Sequence, residues 1–195
     1  DWSYDLLHDP EKLLLQRLSV FVGGWTLAAA EAVCAGEGVE AAEVLDLMTS
    51  LVDKSLVVAE QNDGHSRYRL LETVRQYAQE RLDESGEGDQ ARTRHLAFHA
   101  DLAEEAMPHL IGPEQATWLA RLDVERENVL AAHAWCDRAV GGAELGLRIV
   151  ASVRAYWLTR GIVGLGHRLT VEALERDGAD ERNLLRCRAL FAVGW

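Results

Sequence analysis

His95 and His99 stand four residues apart, a spacing that places both on one face of a helix and could let them share a metal ion. A zinc site needs a third protein ligand, and the run Thr-Arg-His-Leu-Ala-Phe-His-Ala-Asp (93–101) marks none, so one or both read as partly exposed helix-surface residues. Gly161, Gly164 and Gly166 resemble a nucleotide loop only in their number. Neither Lys-Ser nor Lys-Thr follows them, and a turn between helices accounts for them. The cysteines Cys34, Cys136 and Cys187 are odd in number, widely spaced and without a metal-ligand pattern, which points to a reducing compartment. No Ser or Cys adjoins a His–acid pair, so nucleophilic catalysis has no support, and the many carboxylates of the first half imply no cleft. Trp2, Trp25, Trp118, Trp135, Trp157 and Trp195 sit among Leu and Ala and read as packing rather than as ligand platforms. The chain therefore reads as non-catalytic, with no metal and no cofactor of its own.

The elements that carry these residues follow from composition and period. The chain has 195 residues, 48% hydrophobic and 27% charged, with only 3 Pro, which is globular rather than disordered. No signal peptide opens it and no apolar run is long enough to span a bilayer, so a soluble cytoplasmic protein with no membrane partner is expected. The net charge of −12 is lopsided: residues 1–90 hold seven Lys and Arg against eighteen Asp and Glu, residues 91–195 thirteen against fourteen. That step, and the hinge-like Asp83-Glu-Ser-Gly-Glu-Gly-Asp89, divide the chain into a domain over 1–88 and another over 89–195. A start at Asp1-Trp2 and a stop at Trp195 inside a helical pattern read as the ends of an excised stretch, truncated within the second domain.

In the first domain Pro10 and Glu11 start a helix with Asp9 as its N-cap, carrying Leu14, Leu18 and Phe21, and Gly23-Gly24 ends it. Thr26 caps a short helix to Cys34. A third helix over 40–53 places Ala41, Val44, Leu45, Met48, Leu51 and Val52 on one face and Glu40, Glu43 and Asp46 on the other. The period then changes: 55–60 reads as a strand, Asn62-Asp-Gly64 as a turn and 66–70 as the return strand. A last helix from Leu71 to Asp83 points Leu71, Val74, Ala78 and Leu82 inward. This is the order of a winged helix-turn-helix. The fold invites DNA binding, but its recognition helix would push three carboxylates toward phosphate, with Thr49 and Ser50 the neutral readers, Lys54 just beyond and Arg67 and Arg69 on the hairpin. On that charge argument direct nucleic-acid binding is expected to be absent.

From Ala91 every segment reads as helix. One face carries Leu96, Ala100, Ala103 and Met107; a second helix runs from Glu114 to Ala139, with a polar centre at 123–128 that implies a solvated face or a break. A third carries Leu145 to Trp157, a fourth spans 164–176 and a fifth starts near Asp180. Antiparallel helices joined by Gly-containing turns suggest tetratricopeptide-like repeats, with a spacing somewhat above the roughly 34 residues of that unit. The fold class is thus mainly α: a winged helix followed by helical repeats, whose stacked concave face would take a protein or peptide.

Four blocks carry a more specific likeness: Asp1-Trp-Ser-Tyr-Asp-Leu-Leu7, Arg17-Leu-Ser-Val-Phe-Val-Gly-Gly24, Leu51-Val-Asp-Lys-Ser-Leu56 and Tyr68-Arg-Leu-Leu-Glu-Thr-Val-Arg-Gln-Tyr-Ala78. Together with Gly112-Pro-Glu-Gln-Ala-Thr-Trp-Leu-Ala-Arg-Leu122 and Tyr156-Trp-Leu-Thr-Arg-Gly161, they resemble the segment after the nucleotide-binding domain in bacterial STAND-type signal-transduction ATPases of the NB-ARC kind, including large LuxR-like or SARP-like transcriptional regulators. The resemblance implies a regulatory, protein-interaction fragment. Its winged helix would control an upstream nucleotide-binding domain that holds ATP or ADP, and its repeats would sense a partner or inducer. Where the family's Met-His-Asp faces the nucleotide, this chain has Leu70, Leu71 and Glu72, and Leu71 offers no hydrogen bond to phosphate. These three, with Glu40, Glu43 and Asp46, are the interdomain candidates. Two alternatives stay open: a DNA-binding winged-helix transcription factor, and a helical-repeat domain holding a small molecule.

Overall fold

The computed structural model describes residues 2–62 and 65–194. They form two compact units, 1–95 and 96–195. The first contains α1 (Trp2–Asp5), α2 (Asp9–Leu18), α3 (Leu27–Cys34), a 3₁₀ turn over Ala41–Glu43, α4 (Val44–Asp53), β1 (Val57–Asn62), β2 (His65–Leu70), α5 (Glu72–Ser85) and the start of α6 (Gly88–Ala106). Leu14, Leu15 and Leu18 of α2 meet Val44, Met48 and Leu51 of α4 in a core that Phe21, Trp25 and Val33 complete. Val44, Met48 and Leu51 are spaced four and three residues apart, and Leu14 and Leu15 lie four and three before Leu18, which is why one face of each helix is dry.

Local chemistry explains the element ends. Thr26 Oγ1 accepts the Ala29 amide at 3.2 Å and caps α3, as its sequence suggests. The cap of α2 is His8 rather than Asp9: the His8 amide donates to Glu11 Oε2 at 2.8 Å. Strand β1 begins two residues later than its pattern suggests, because α4 closes through Ser55 in the left-handed region (φ 58°), with Ser55 N–H donating to Val52 O and Leu56 N–H to Leu51 O. Leu71 is the extended residue before α5 and is 44% exposed, so it falls out of the helical phase that would have turned it inward. The turn assigned to Asn62-Asp-Gly64 lies largely outside the described residues.

The hairpin pairs Val57 with Leu70 through Asn62 with His65, antiparallel. Trp25 adds a third short edge, exchanging backbone bonds with Tyr68 at 2.8 Å in both directions. Gly24 makes that approach possible: its φ is +102°, and a Cβ there would lie 2.6 Å from Tyr68 O. Gly24→Ala is expected to destabilise this unit by more than about 1 kcal/mol in urea unfolding; an unchanged midpoint would show that the edge yields freely.

The second unit holds the rest of α6, a 3₁₀ turn over Met107–His109, α7 (Gln115–Trp135), α8 (Gly142–Ser152), α9 (Arg154–Thr159), α10 (Val163–Glu175) and α11 (Leu184–Val193). Met107 sits in the turn, 37% exposed, rather than on the inward face of α6. α7 runs unbroken through its polar centre because the polar residues divide: Asp123, Arg126 and Glu127 face outward, while Glu125 and Asn128 are buried and joined, Asn128 Nδ2 donating to Glu125 Oε2 at 2.7 Å. Among the described residues no tandem-repeat pattern is resolved. The helix expected to run to Trp157 breaks at Val153 into α8 and α9, so three helices occupy 142–175, where a repeat hairpin would use two. Gly166 lies inside α10 against Trp157, where a Cβ would fall 2.5 Å from the indole, so it serves helix packing and not a nucleotide.

One polar hub is buried in this unit. With its proton on Nε2, His133 donates to Leu169 O at 3.0 Å and accepts at Nδ1 from Arg176 Nη2 at 3.3 Å. Arg176 also donates to His133 O at 2.8 Å and to Asp137 at 2.6 Å. Burial first, then the adjacent guanidinium, push the imidazole down to about 4.

Candidate nucleic-acid interface

α4 is the second helix of the helix-turn-helix, and two charged side chains of α2 set its position. Glu11 lies on the face shared with Leu14, Leu15 and Leu18 and is 4% exposed. It accepts from Ser50 Oγ at 2.6 Å and from Lys54 Nζ at 2.5 Å, both on or next to α4. Burial alone would raise this carboxyl. The Lys54 and Ser50 hydrogen bonds and the His8 amide outweigh it and hold the group down at about 2. Arg17, 3% exposed, donates to Cys34 O at 3.0 Å and Glu37 O at 2.8 Å, and its Nε to Glu87 at 2.9 Å. The chain between α3 and α4 is thus tied to α2 and to the start of α6. Arg94 of α6 adds a bond to Ala35 O.

The outward side of this arrangement carries Leu45, Asp46, Thr49 and Asp53, with Glu40 and Glu43 ahead of α4. Glu43 accepts the Glu40 amide at 3.2 Å, so it also caps the turn that leads into α4. Of the two neutral readers, Thr49 is exposed with its hydroxyl proton given to Leu45 O at 2.8 Å, which leaves its oxygen to accept, while Ser50 is committed to Glu11. Lys54 is committed likewise. The wing supplies cationic groups: Arg67 reaches Gly24 O at 3.1 Å, and Arg69 pairs with Glu60 at 2.6 Å, both partners 44% exposed. An exposed pair of that kind is weak and easily exchanged for a phosphate.

The remaining sequence candidates fall as follows. Leu70 is buried at the end of β2, and Leu71 and Glu72 are exposed at the junction with α5. Glu72 is held below the usual carboxylate range by hydrogen bonds from Arg75 and Gln76. Glu40, Glu43 and Asp46 do share a surface with α4; Leu70–Glu72 belong to the hairpin junction. Glu11, Arg17 and Arg94 are the positioning residues that sequence reasoning missed. For Glu11 the signal was there: a carboxylate in phase with Leu14, Leu15 and Leu18 on an otherwise apolar face. His95 and His99, one or both expected to be partly exposed, are both buried, His95 edge-on to Phe21 at 5.1 Å and His99 3.6 Å from Glu125. Among the described residues no three His, Cys, Asp or Glu side chains could hold a metal ion. Burial raises the Cys34 thiol to about 12 and Cys136 to about 11, leaving both inert. No helix of the described residues is long and apolar enough to cross a membrane.

Residues 7–83 match the winged helix-turn-helix domain family. Over 160 residues the chain is 44% identical to provisionally named HTH-type transcriptional regulators of Mycobacterium bovis and Mycobacterium tuberculosis, covering 82% of this chain and 18% of theirs. It is 50% identical over 95 residues to an uncharacterized Mycobacterium tuberculosis protein, 48% of this chain and 24% of that one. The chain thus spans about a fifth of the length of the curated relatives it matches first. No solved structure matches it. Residues 7–83 therefore form a winged helix-turn-helix domain, homologous to part of bacterial HTH-type transcriptional regulators. This corrects the expectation that direct nucleic-acid binding is absent, since the matched fold class is one associated with contacting DNA. Net charge sums over a whole surface, whereas a duplex meets one local face, and here the wing arginines lie on a different element from the α4 carboxylates.

Proposed function

We propose that this chain is the DNA-engaging regulatory segment of a bacterial transcriptional regulator, its winged helix meeting the duplex and its C-terminal helices receiving a protein or inducer. The observation that carries this reading is the winged-helix match over 7–83, borne on a helix-turn-helix braced by Glu11 and Arg17. Arg67 and Arg69 hold phosphates, and Thr49 is the polar side chain of α4 offered to a base edge. Electrophoretic shift with a random-sequence duplex pool tests it: binding falls steeply with salt, and Arg67→Ala with Arg69→Ala lowers the affinity at least about tenfold and the salt slope by about 2. Absence of any shift at low salt overturns the DNA reading.

That outcome would favour a second reading, supported by the acidic surface around α4 and by the length of the relatives. In it the chain is a winged-helix domain (1–88) and tetratricopeptide-like repeats (89–195) of a cytoplasmic STAND-type ATPase. Glu40, Glu43, Asp46 and the Leu70–Glu72 junction then contact an upstream domain that binds ATP or ADP.

A further inference from the structure

The second unit carries an apolar groove of about 360 Å³ between the turn after α6, the α8–α9 junction and α11. Ala151 and Ala155 form its floor, and Met107, Ile111 and Phe191 its walls. Ile111 is 79% and Phe191 64% exposed, which is unusual for large apolar side chains clustered at one place. The polar rim is cationic: Arg154 lies over the Phe191 ring at 5.1 Å, Arg188 stands exposed beside it, and none of the described lining residues is acidic. Arg188 also bears on Glu104, whose carboxylate is already held by Arg148 at 2.7 Å. Such a groove fits a helix that presents an apolar anchor flanked by carboxylates.

The first unit presents that surface. On α4 Leu45 is 45% exposed, with Asp46 beside it, Glu43 two residues before and Glu40 ahead of them. We propose that the groove receives the Leu45 face of α4 from a second copy of this chain, Leu45 entering between Met107, Ile111 and Phe191 while Asp46 and Glu43 meet Arg188 and Arg154. The contact is head-to-tail, so it builds open or ring assemblies rather than a closed symmetric pair. One helix face in one groove falls at the small end of specific interfaces, so the association is transient and weakened by salt. It covers α4, so duplex DNA and self-association compete; the contact itself does not depend on whether DNA binds.

Sedimentation velocity of the chain from micromolar concentration upward tests it. Association rises with concentration and falls with salt. Asp46→Arg or Arg188→Glu alone weakens it at least about tenfold, and the two together restore it, because the charges are exchanged rather than removed. A second measurement covers loss of folding in those variants: with oxidised glutathione as the two-electron oxidant, Leu45→Cys forms an intermolecular disulfide with Cys187, the exposed cysteine, while Cys34 and Cys136 are buried. A chain that stays monomeric throughout, an association indifferent to salt and to both charge reversals, or an associated Leu45→Cys chain that does not cross-link would each overturn the proposal.

Discussion

Arg17→Met should destabilise the N-terminal unit by about 3–5 kcal/mol, the range for breaking a buried charged network by removing one partner. Methionine keeps most of the stem volume, so the loss comes from the guanidinium. Cys34 O and Glu37 O lose their donor inside the protein, and Glu87 loses its cation. The contrast is Glu87→Gln. The buried Arg17 guanidinium then loses its counter-charge but keeps Cys34 O and Glu37 O and can donate Nε to the amide oxygen, so the cost is smaller, about 1–2 kcal/mol. Urea unfolding followed by amide hydrogen exchange in α2 and α4 reads both variants within this unit. Equal losses, or an Arg17→Met loss below about 1 kcal/mol, would mean that water replaces the guanidinium and that the chain between α3 and α4 needs no internal brace. On the proposed DNA-binding reading, affinity falls along with stability, since that segment aims α4.

Acid should loosen the two units in separate windows, the C-terminal unit first. His133 titrates near 4 when folded and near 6.5 when unfolded, so the unfolded chain binds the proton first. The stability that neutral His133 supplies is complete above about pH 6.5 and declines by about 3 kcal/mol as the pH falls toward 4. Burial drives the loss first and the Arg176 guanidinium second, while the Leu169 carbonyl and Asp137 moderate it as the ring charges. Glu11 follows lower down. Its folded value near 2 lies below the unfolded 4.5, so its contribution is intact above about pH 4.5 and disappears by roughly 3 kcal/mol as the pH falls toward 2. Amide hydrogen exchange by mass spectrometry at successive pH values separates the windows: α7 and α10 lose protection before α2 and α4. In Glu11→Gln the lower window should vanish and α4 be less protected even at neutral pH. Simultaneous loss in all four helices, or α2 and α4 opening first, contradicts the assignment.

Much of the winged helix was legible in the sequence because its signals are local. Thr26 caps the helix it precedes, Val44, Met48 and Leu51 keep a helical step, and the alternation of 57–70 marks a hairpin. The misplaced residues share a cause: a side chain's environment is set by what approaches it from elsewhere in the chain. Leu71 lost its inward place when α5 began one residue later, and His95 became buried when Phe21 came to meet it. Of the candidate interface, the α4 carboxylates were visible, being read from helical phase alone. The braces were not, because Glu11 finds Ser50 and Lys54 some forty residues away, and Arg17 reaches back from α2 to Glu87 of the segment leading into α6.

By itself the sequence determined that the chain folds as mostly helix and where its negative charge concentrates. Those properties depend on composition and short-range period. Tertiary structure alone decided which charges are spent inside the protein and which remain for a partner. Lys54 and Ser50 were drawn to a buried carboxylate that could not stay unpaired, while Arg69 and Asp46 stayed at the surface, where water competes with any partner.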